Sequence, residues 1–165
     1  EQIINPLIMK ATLVNGKVKT ALAINEVSLL RAGPQAAKLQ IWVDNRQRMD
    51  ELVCDGVLVA TPAGSTAYNY SAHGPILPMG ADVLAMTALN AYRPRRWRGA
   101  LLPKTAVVRI DVLDNTKRPV MADADSISFK NVKKVEISSE TKIQHRILFN
   151  EGHGLDERLI QEQFV

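Results

Sequence analysis

Cysteine is almost absent from this chain, which has one, Cys54, among 165 residues. A single cysteine excludes an intrachain disulfide and any metal site built from several thiolates. Because Cys54 lies in an apolar run typical of a strand, we expect its side chain to be a small buried hydrophobic group rather than a reactive thiol. This cysteine usage fits a cytoplasmic protein.

Long hydrophobic runs are also absent. The longest apolar stretches, such as residues 57–60, are far too short to cross a bilayer. The N-terminus has no basic segment followed by an apolar one, so it does not resemble a signal peptide. The first residue is not methionine, and we therefore expect a piece of a longer protein or a processed chain. No membrane partner is predicted.

Charge of one sign is only slightly in excess. The 21 basic and 17 acidic residues leave a net charge of +4, which suits anionic ligands but does not by itself indicate nucleic-acid binding. Hydrophobic residues make up 46% and charged residues 23%, as in ordinary globular proteins. The length is sufficient for one domain with a real core.

Several familiar nucleotide-binding and catalytic patterns are missing. The chain has no Gly-x-Gly-x-x-Gly fingerprint, no Walker A loop and no Gly-x-Ser-x-Gly elbow. Ser65 is therefore not a convincing hydrolase nucleophile. A nucleotide site in this chain would have to be built in another way.

The pattern that is present is mainly β. Many short segments alternate apolar and polar residues, as in 108–112, and turn residues separate them every eight to twelve positions. Asn15-Gly16 predicts a type I′ hairpin, and Asp44-Asn45 predicts a second hairpin turn. This pattern predicts a two-sheet antiparallel β-sandwich with a few short helices over residues 1–150.

Three helical segments are predicted within this β framework. Residues 64–72 are the best candidate for a short helix, and 82–89 could form one or two helical turns. Residues 155–164 read as an amphipathic helix, with Leu155, Leu159 and Ile160 on one face. Residues 151–165 therefore form a tail distinct from the sandwich.

The most informative stretch runs from Asp55 to Tyr68. It begins as an apolar strand, turns at Thr61-Pro62-Ala63-Gly64-Ser65-Thr66, and opens a helix. Ser65 or Thr66 could cap that helix. The N–H groups and hydroxyls at such a turn suit a phosphate or a ribose hydroxyl, whereas an ordinary helix cap is the simpler alternative.

Two further motifs could recognise a nucleoside. Asn25 and Glu26 together offer the donors and acceptors to read an adenine edge and hold a ribose diol, although a turn Asn beside a solvated Glu is the simpler interpretation. Tyr68 and Tyr70 could stack on a base, but core packing is the safer expectation for both.

Charged and titratable residues elsewhere have open interpretations. The loop of Arg93, Arg95, Arg96 and Arg98 could bind nucleotide phosphates or polyphosphate. A solvated loop with Trp97 anchored in the core is favoured, and nucleic acid is least favoured. Asp55 is interpreted as a turn residue or as an acceptor for a carboxamide, and Asp123-Ala124-Asp125 as an Asx turn in preference to a cation site. His73 is expected at the end of a helix and His145 in the core.

In order along the chain, these segments resemble the C-terminal domain of bacterial NAD kinases that use ATP or polyphosphate. The resemblance is carried by Ala23-Ile24-Asn25-Glu26-Val27, by Asp55 to Tyr68, by Ser71-Ala72-His73-Gly74-Pro75, by Leu101-Leu102-Pro103 and by the Asp123 turn. It covers nearly the whole chain, and the tail from Leu155 to Arg158 is similar to alphaproteobacterial members.

The resemblance implies a set of NAD-binding residues. Asn25 and Glu26 would contact the adenosine of NAD, and Asp55 would lie near the nicotinamide carboxamide. The remaining implied positions are Ala63, Thr66, Ala67, Tyr68 and Ser71. Ala63 replaces the Thr or Ser of many members and so has no hydroxyl to contact the adenine. Ala124 replaces their Gly, His or Ser, so any ligand contact from that side chain is lost.

The resemblance also implies what lies outside this chain. Members begin with an α/β domain whose Gly-Gly-Asp-Gly motif supplies the general base for the 2′-hydroxyl of NAD, and this sequence has no Gly-Gly. The chain is therefore expected to hold no catalytic residue and no metal ligand of its own. The tail is expected to dock on that absent domain.

The implied enzyme transfers a phosphoryl group from ATP or polyphosphate to the adenosine 2′-hydroxyl of NAD, giving NADP, with Mg or Mn present. It assembles as a homodimer or homotetramer, and this chain alone is expected to be inactive. One alternative is a non-catalytic β-domain that binds polyanions through Arg93 to Arg98. A lipid or sugar kinase of similar plan is a third possibility.

Overall fold

Two six-stranded antiparallel sheets face each other in the computed structural model, which describes all residues, 1–165. The predicted mainly β sandwich is therefore confirmed. The strands are β1 (Gln2–Ile4), β2 (Leu7–Leu13), β3 (Val18–Ala23), β4 (Glu26–Arg31), β5 (Ala37–Val43), β6 (Arg46–Cys54), β7 (Gly56–Ala60), β8 (Val83–Leu89), β9 (Gly99–Pro103), β10 (Val108–Leu113), β11 (Val120–Ala124), β12 (Ile127–Phe129), β13 (Val132–Ser139) and β14 (His145–Ile147).

The strand order places β4 and β7 at the centre of one sheet, with β8 beside them. The first sheet has the order β3-β2-β13-β10-β5-β6, and the second has β12-β11-β4-β7-β8-β9. Alternate residues of both sheets point inward, for example Leu39 and Ile41 on β5 and Val27 and Leu29 on β4. Their burial between the sheets forms the hydrophobic core.

Strand β8 corrects one expectation. The sequence predicts helical turns over residues 82–89, but Val83–Leu89 is a strand paired with both β7 and β9. Five consecutive residues of β8 are buried, because one face lies on the core and the other is covered. A strand buried on both faces shows no polar alternation, so its sequence resembles a short apolar helix.

The two hairpin turns differ in type. At Asp44-Asn45 both residues have positive φ, of 50° and 60°, as a two-residue hairpin turn requires. At Asn15-Gly16 only Gly16 has positive φ, and its N–H bonds to the Leu13 carbonyl. That hairpin is therefore a longer turn ending in a left-handed glycine, and the type I′ prediction is wrong.

The helices are few, as predicted. Helix α1 covers only Tyr68–Ser71, because residues 62–67 form successive turns instead of extending it. Helix α2 covers Leu155–Gln163, close to its predicted limits, and none of its residues is buried. Neither helix is long and apolar enough to span a membrane.

A small sheet of β1 and β14 lies beside the sandwich. His145 belongs to this sheet and is half-buried, so the expectation that it packs in the core is wrong. Cys54, in contrast, is buried as predicted, and burial raises the pKa of its thiol to about 12. An un-ionised thiol is a poor nucleophile and a poor metal ligand.

Candidate functional site

The candidate site forms on the outer face of the second sheet. Residues 61–79, which we call the covering segment, run from the end of β7 across this face and include α1. The clearest attachment is Asn69, whose fully buried side chain accepts a hydrogen bond of 2.6 Å from the Thr87 hydroxyl on β8. The covering segment explains why β7 and β8 are buried on both faces.

Internal hydrogen bonds fix the shape of the covering segment. The Asn69 amide donates to the carbonyls of Ser65 (3.0 Å) and Pro75 (2.8 Å), and the Ser65 hydroxyl accepts the Leu77 N–H at 3.0 Å. Ser65 is completely buried, and the N-cap of α1 is Ala67 with no side-chain cap. The prediction that Ser65 or Thr66 caps the helix is therefore wrong, since Ser65 ties together the two ends of the loop.

The covering segment is also fastened to the main chain of Asn25. Thr61 donates its N–H to the Asn25 carbonyl at 3.0 Å, and its hydroxyl donates to the Ile24 carbonyl at 2.7 Å. A Cβ added at Gly64 would overlap the backbone of Asn25. Glycine is therefore required at position 64 by the close approach of two chain segments.

Glu26 lies at the start of β4 beside this junction. Its carboxyl is half-buried, and Oε2 is buried without a hydrogen-bond partner. The pKa of Glu26 is raised because burial removes water from the carboxylate and because Asp125 is near, although the Tyr68 backbone N–H acts in the opposite direction. A buried acceptor without a partner is uncommon in a folded protein, and a ligand hydroxyl would supply the missing donor.

Tyr68 lies among several carboxylates. Burial raises the pKa of its phenol, and the charges of Asp123, Glu26 and Asp55 raise it further. The residue Tyr68 is 37% exposed and Tyr70 is 50% exposed, so the expectation that both pack in the core is wrong. Both rings are at the surface because α1 lies on the outside of the second sheet.

Asp55 lies where the chain crosses from β6 of the first sheet to β7 of the second. Its carboxylate accepts hydrogen bonds from Arg31 at 2.9 Å and from Asn90 at 2.8 Å. The pKa of Asp55 is lowered, first by the Asn90 hydrogen bond and then by Arg31. Asp55 is therefore an ionised and oriented acceptor near Tyr68, more than a simple turn residue.

The residues at 123–125 do not form the expected Asx turn. Asp123 and Ala124 belong to β11, and the Asp123 carboxylate accepts a hydrogen bond from the Ser128 hydroxyl. Asp125 follows β11 with φ of 49°, and its carboxylate accepts N–H groups about one hundred residues away in sequence, at Ile24, Asn25 and Glu26. No group of three or more His, Cys, Asp or Glu side chains in the structure could hold a metal ion.

Two clefts beside the covering segment contain most of the predicted site residues. The larger, of about 570 Å³, is lined by Tyr68, Ser71, His73, Arg96 and Arg98. Arg93 and Arg95 do not line it, whereas Trp97 does and also packs against the core, as predicted. His73 follows α1 with φ of 64°, at the left-handed position that commonly ends a helix.

The smaller cleft, of about 310 Å³, lies between the covering segment and α2. It is lined by Asn25, by Ala63, Thr66, Ala67 and Met79 of the covering segment, and by residues of α2 that include Leu155 and Arg158. The predicted site residues thus divide into two neighbouring groups. Asn25, Ala63, Thr66 and Ala67 share the smaller cleft, whereas Tyr68 and Ser71 share the larger, with Glu26 and Asp55 close to Tyr68.

Sequence reasoning missed the residues that build the site without facing either cleft. Thr61 and Asp125 bond to main chain that is distant in sequence, whereas Asn69 joins the main chain of Ser65 and Pro75 within its own loop. An Asn inside a short helix and an Asp in a turn are common in any protein. No local signal distinguishes them, because their partners are set by the packing of sheets and loops.

Comparison with known proteins identifies the family. Residues 24–144 match the model of the ATP-NAD kinase C-terminal domain, and the chain belongs to this family. The matched range contains both groups of site residues. It ends before α2.

Individual relatives agree with this assignment. The chain is 70% identical over its whole length to an NAD kinase of Cereibacter sphaeroides and 54% identical over 99% of its length to one of Rhizobium meliloti. It spans 65% and 64% of those two proteins. The resemblance to alphaproteobacterial members is therefore confirmed.

Solved structures share the fold. The yeast NADH kinase complexed with NADH has a TM-score of 0.78 at 24% identity, over 98% of this chain and 48% of that one. An NAD kinase from Archaeoglobus fulgidus in complex with ATP has a TM-score of 0.77 at 19% identity, over 98% of this chain and 61% of that one. Both solved structures therefore contain the fold of this chain.

Proposed function

We propose that this chain is the dinucleotide-binding part of an NAD kinase. The whole enzyme would transfer a phosphoryl group from ATP or polyphosphate to the adenosine 2′-hydroxyl of NAD, giving NADP. The observation that carries the proposal is the junction of Asn25-Glu26 with the covering segment. It places Thr66, Ala67, Tyr68 and Ser71 along two adjoining clefts beside an unpaired Glu26 oxygen.

In this proposal the ligand lies across the covering segment. The adenosine occupies the smaller cleft, beside Asn25, Thr66 and Ala67, and Glu26 accepts a hydrogen bond from a ribose hydroxyl. Ala63 contributes only its backbone and methyl group. The nicotinamide half extends past Tyr68 and Ser71 toward Asp55, whose ionised carboxylate accepts the carboxamide N–H.

Arginine at the larger cleft suits the phosphates of the ligand. Arg96 and Arg98 line that cleft, and neither is paired with a carboxylate. We therefore confine the phosphate role to Arg96 and Arg98 among the basic residues of this loop, because Arg93 and Arg95 lie outside the cleft. Arg96 and Arg98 would also bind the ligand in the second candidate function, in which this β-domain binds polyanions and has no catalytic role.

The residues present do not fit a resident divalent metal, since no carboxylate cluster suitable for one exists in the chain. Mg or Mn would be bound by the phosphates of the donor together with residues outside this chain. We expect the phosphate-transfer base there as well, so that this chain alone is inactive. We also propose a cytoplasmic enzyme that forms a homodimer or homotetramer.

The first experiment measures NAD binding by titration calorimetry, and NADP formation from NAD, ATP and Mg, on this chain and on the full-length gene product. We expect binding by both and NADP from the full-length product only. Asn25→Ala and Tyr68→Ala should abolish NAD binding, whereas Tyr70→Ala, an exposed tyrosine that lines neither cleft, should leave it unchanged.

The alternative, polyanion binding without catalysis, predicts a different response to these substitutions. Under it, polyphosphate binding would survive Asn25→Ala and Tyr68→Ala but would be lost in Arg96→Ala and Arg98→Ala. NADP formation by this chain at the rate of the full-length enzyme would contradict the placement of the base outside it. No NAD binding by either protein would refute the proposed function.

A further inference from the structure

Asp125 binds the main chain that carries Asn25 and Glu26. Its Oδ2 accepts the Ile24 N–H at 2.7 Å, and its Oδ1 accepts those of Asn25 and Glu26 at 3.1 and 3.2 Å. The Asp125 N–H donates in return to the Glu26 carbonyl at 3.2 Å. One carboxylate thus holds three consecutive amides, an arrangement typical of a bound anion.

The same short stretch is held from its other side. The Ile24 and Asn25 carbonyls accept hydrogen bonds from Thr61, and Gly64 packs against the Asn25 backbone. The N–H groups of residues 24–26 therefore face Asp125, while the carbonyls of 24 and 25 face the covering segment. The position of the Asn25 and Glu26 side chains depends on both attachments.

Asp125 itself lies outside both clefts. Its backbone has φ of 49°, a left-handed conformation that Asp and Asn adopt more readily than other residues with a side chain. The residue is exposed, so the fold does not need its side chain to fill space. Its contacts are with the main chain of Ile24, Asn25 and Glu26, a stretch that includes the two residues assigned above to adenosine and ribose.

We propose that Asp125 is a positioning residue for dinucleotide binding. It fixes the main chain of Asn25 and Glu26 so that their side chains meet the adenosine and its ribose, and this role rests on the proposed function. Loss of the carboxylate would release three N–H groups to water and let the main chain of residues 24–26 shift. We expect this shift to weaken ligand binding more than it lowers the stability of the fold.

The test compares Asp125→Ala and Asp125→Asn with the matched control Asp44→Ala. Asp44 also has a left-handed backbone, with φ of 50°, and its carboxylate accepts a hydrogen bond of 2.9 Å from the Val107 N–H, which is distant in sequence. Like Asp125, Asp44 lines neither of the two clefts described above. A loss of affinity shared by both alanine variants would therefore be a general effect of the substitution.

In the full-length enzyme we expect Asp125→Ala to raise the KM for NAD about tenfold and leave the KM for ATP unchanged. Asp125→Asn, which keeps one acceptor oxygen, should recover part of the loss, and Asp44→Ala should leave both KM values unchanged. Hydrogen exchange in the ligand-free protein should show faster exchange of the amides at 24–26 only in the Asp125 variants.

Equal increases in the two KM values would show general loosening and overturn the proposal, as would an unchanged KM for NAD in Asp125→Ala. Failure of the unaltered protein to bind NAD would instead refute the proposed function, and this inference with it. If the unaltered protein binds NAD and the Asp125→Ala variant binds it with the same affinity, this inference alone would be refuted.

Discussion

At the scale of single residues, the site depends on polar groups whose surroundings alter their ordinary chemistry. Glu26 has a buried, unpaired oxygen and a raised pKa, whereas Asp55 is held ionised by Asn90 and Arg31. The two carboxyls therefore differ in proton affinity although both lie near Tyr68. A raised pKa means that the charged form of Glu26 is disfavoured in the folded protein.

Glu26→Gln should therefore raise the melting temperature at neutral pH in the absence of ligand. The gain should shrink as pH falls through the raised pKa of Glu26 and vanish below the ordinary glutamate value of about 4.3, where both states are protonated. Thermal unfolding between pH 3 and 8 measures this. Because Glu26 is proposed to bind ribose, the same variant should bind NAD more weakly.

The matched control is Glu151→Gln, which removes a carboxylate from an exposed residue in the segment before α2. Its melting temperature should equal that of the unaltered protein at pH 7, because the Glu151 side chain is exposed. A Glu26→Gln variant that melts lower than the unaltered protein at pH 7 would show that the ionised carboxylate stabilises the fold, which is the opposite of the effect expected from its raised pKa.

At the scale of elements, the covering segment shapes the two clefts in which we propose that the ligand binds. It has little regular structure, since α1 is a single turn of four residues. Its shape comes instead from Ser65, Asn69 and Thr87, which are buried and hydrogen-bonded to one another or to nearby carbonyls. Such a fully satisfied polar network specifies one loop conformation.

Asn69→Ala should lower the free energy of unfolding by about 2–4 kcal/mol, because it leaves the Ser65 carbonyl and the Thr87 hydroxyl buried without their partner and also removes the bond to the Pro75 carbonyl. It should also weaken NAD binding, since Tyr68 and Ser71 lie on the same segment. Denaturant unfolding and calorimetry measure the two effects.

Asn115→Ala provides the control, because Asn115 lies in the turn between β10 and β11 and lines neither cleft. It should change stability by less than about 0.5 kcal/mol. If Asn69→Ala lowered the free energy of unfolding by as little as Asn115→Ala, the covering segment would be held by its apolar contacts and not by this network.

At the scale of the whole molecule, the sandwich and the tail differ in how they are held. The core lies between the two large sheets, and α2 contributes no buried residue to it. The tail leaves Ile160 52% and Phe164 87% exposed. We propose, as the resemblance implies, that this apolar surface docks on a domain outside this chain, and that residues 1–150 fold as the NAD-binding unit.

Removal of residues 151–165 should therefore change the melting temperature of this chain by less than about 2 °C, because little buried surface is lost. In the full-length enzyme the same truncation should reduce NADP formation, since the tail would lose its docking contacts and its side of the smaller cleft. A large fall in the melting temperature of the truncated chain would show that α2 belongs to the fold of the sandwich.

Much of the architecture followed from local patterns. Alternating strands such as β10 and the Asp44-Asn45 turn were predictable because one face of each such strand meets the core and the other is partly solvated. The prediction failed at β8, where both faces are buried, and at Gly16, whose turn contains an additional residue. Burial on two faces removes the periodicity on which such predictions depend.

The class of fold and the buried thiol could be read from the sequence, and its resemblance to a family implied the residues of the candidate site. The roles of Ser65 and Asn69 as internal hydrogen-bonding residues and the exposure of Tyr68 required the folded structure. The same holds for the place of Arg98 in the larger cleft and for the hydrogen bonds from Asn25 and Glu26 to Asp125. The reason is physical: patterns along the chain report which face of an element is buried, whereas a hydrogen bond between residues about a hundred positions apart exists only once the sheets have packed.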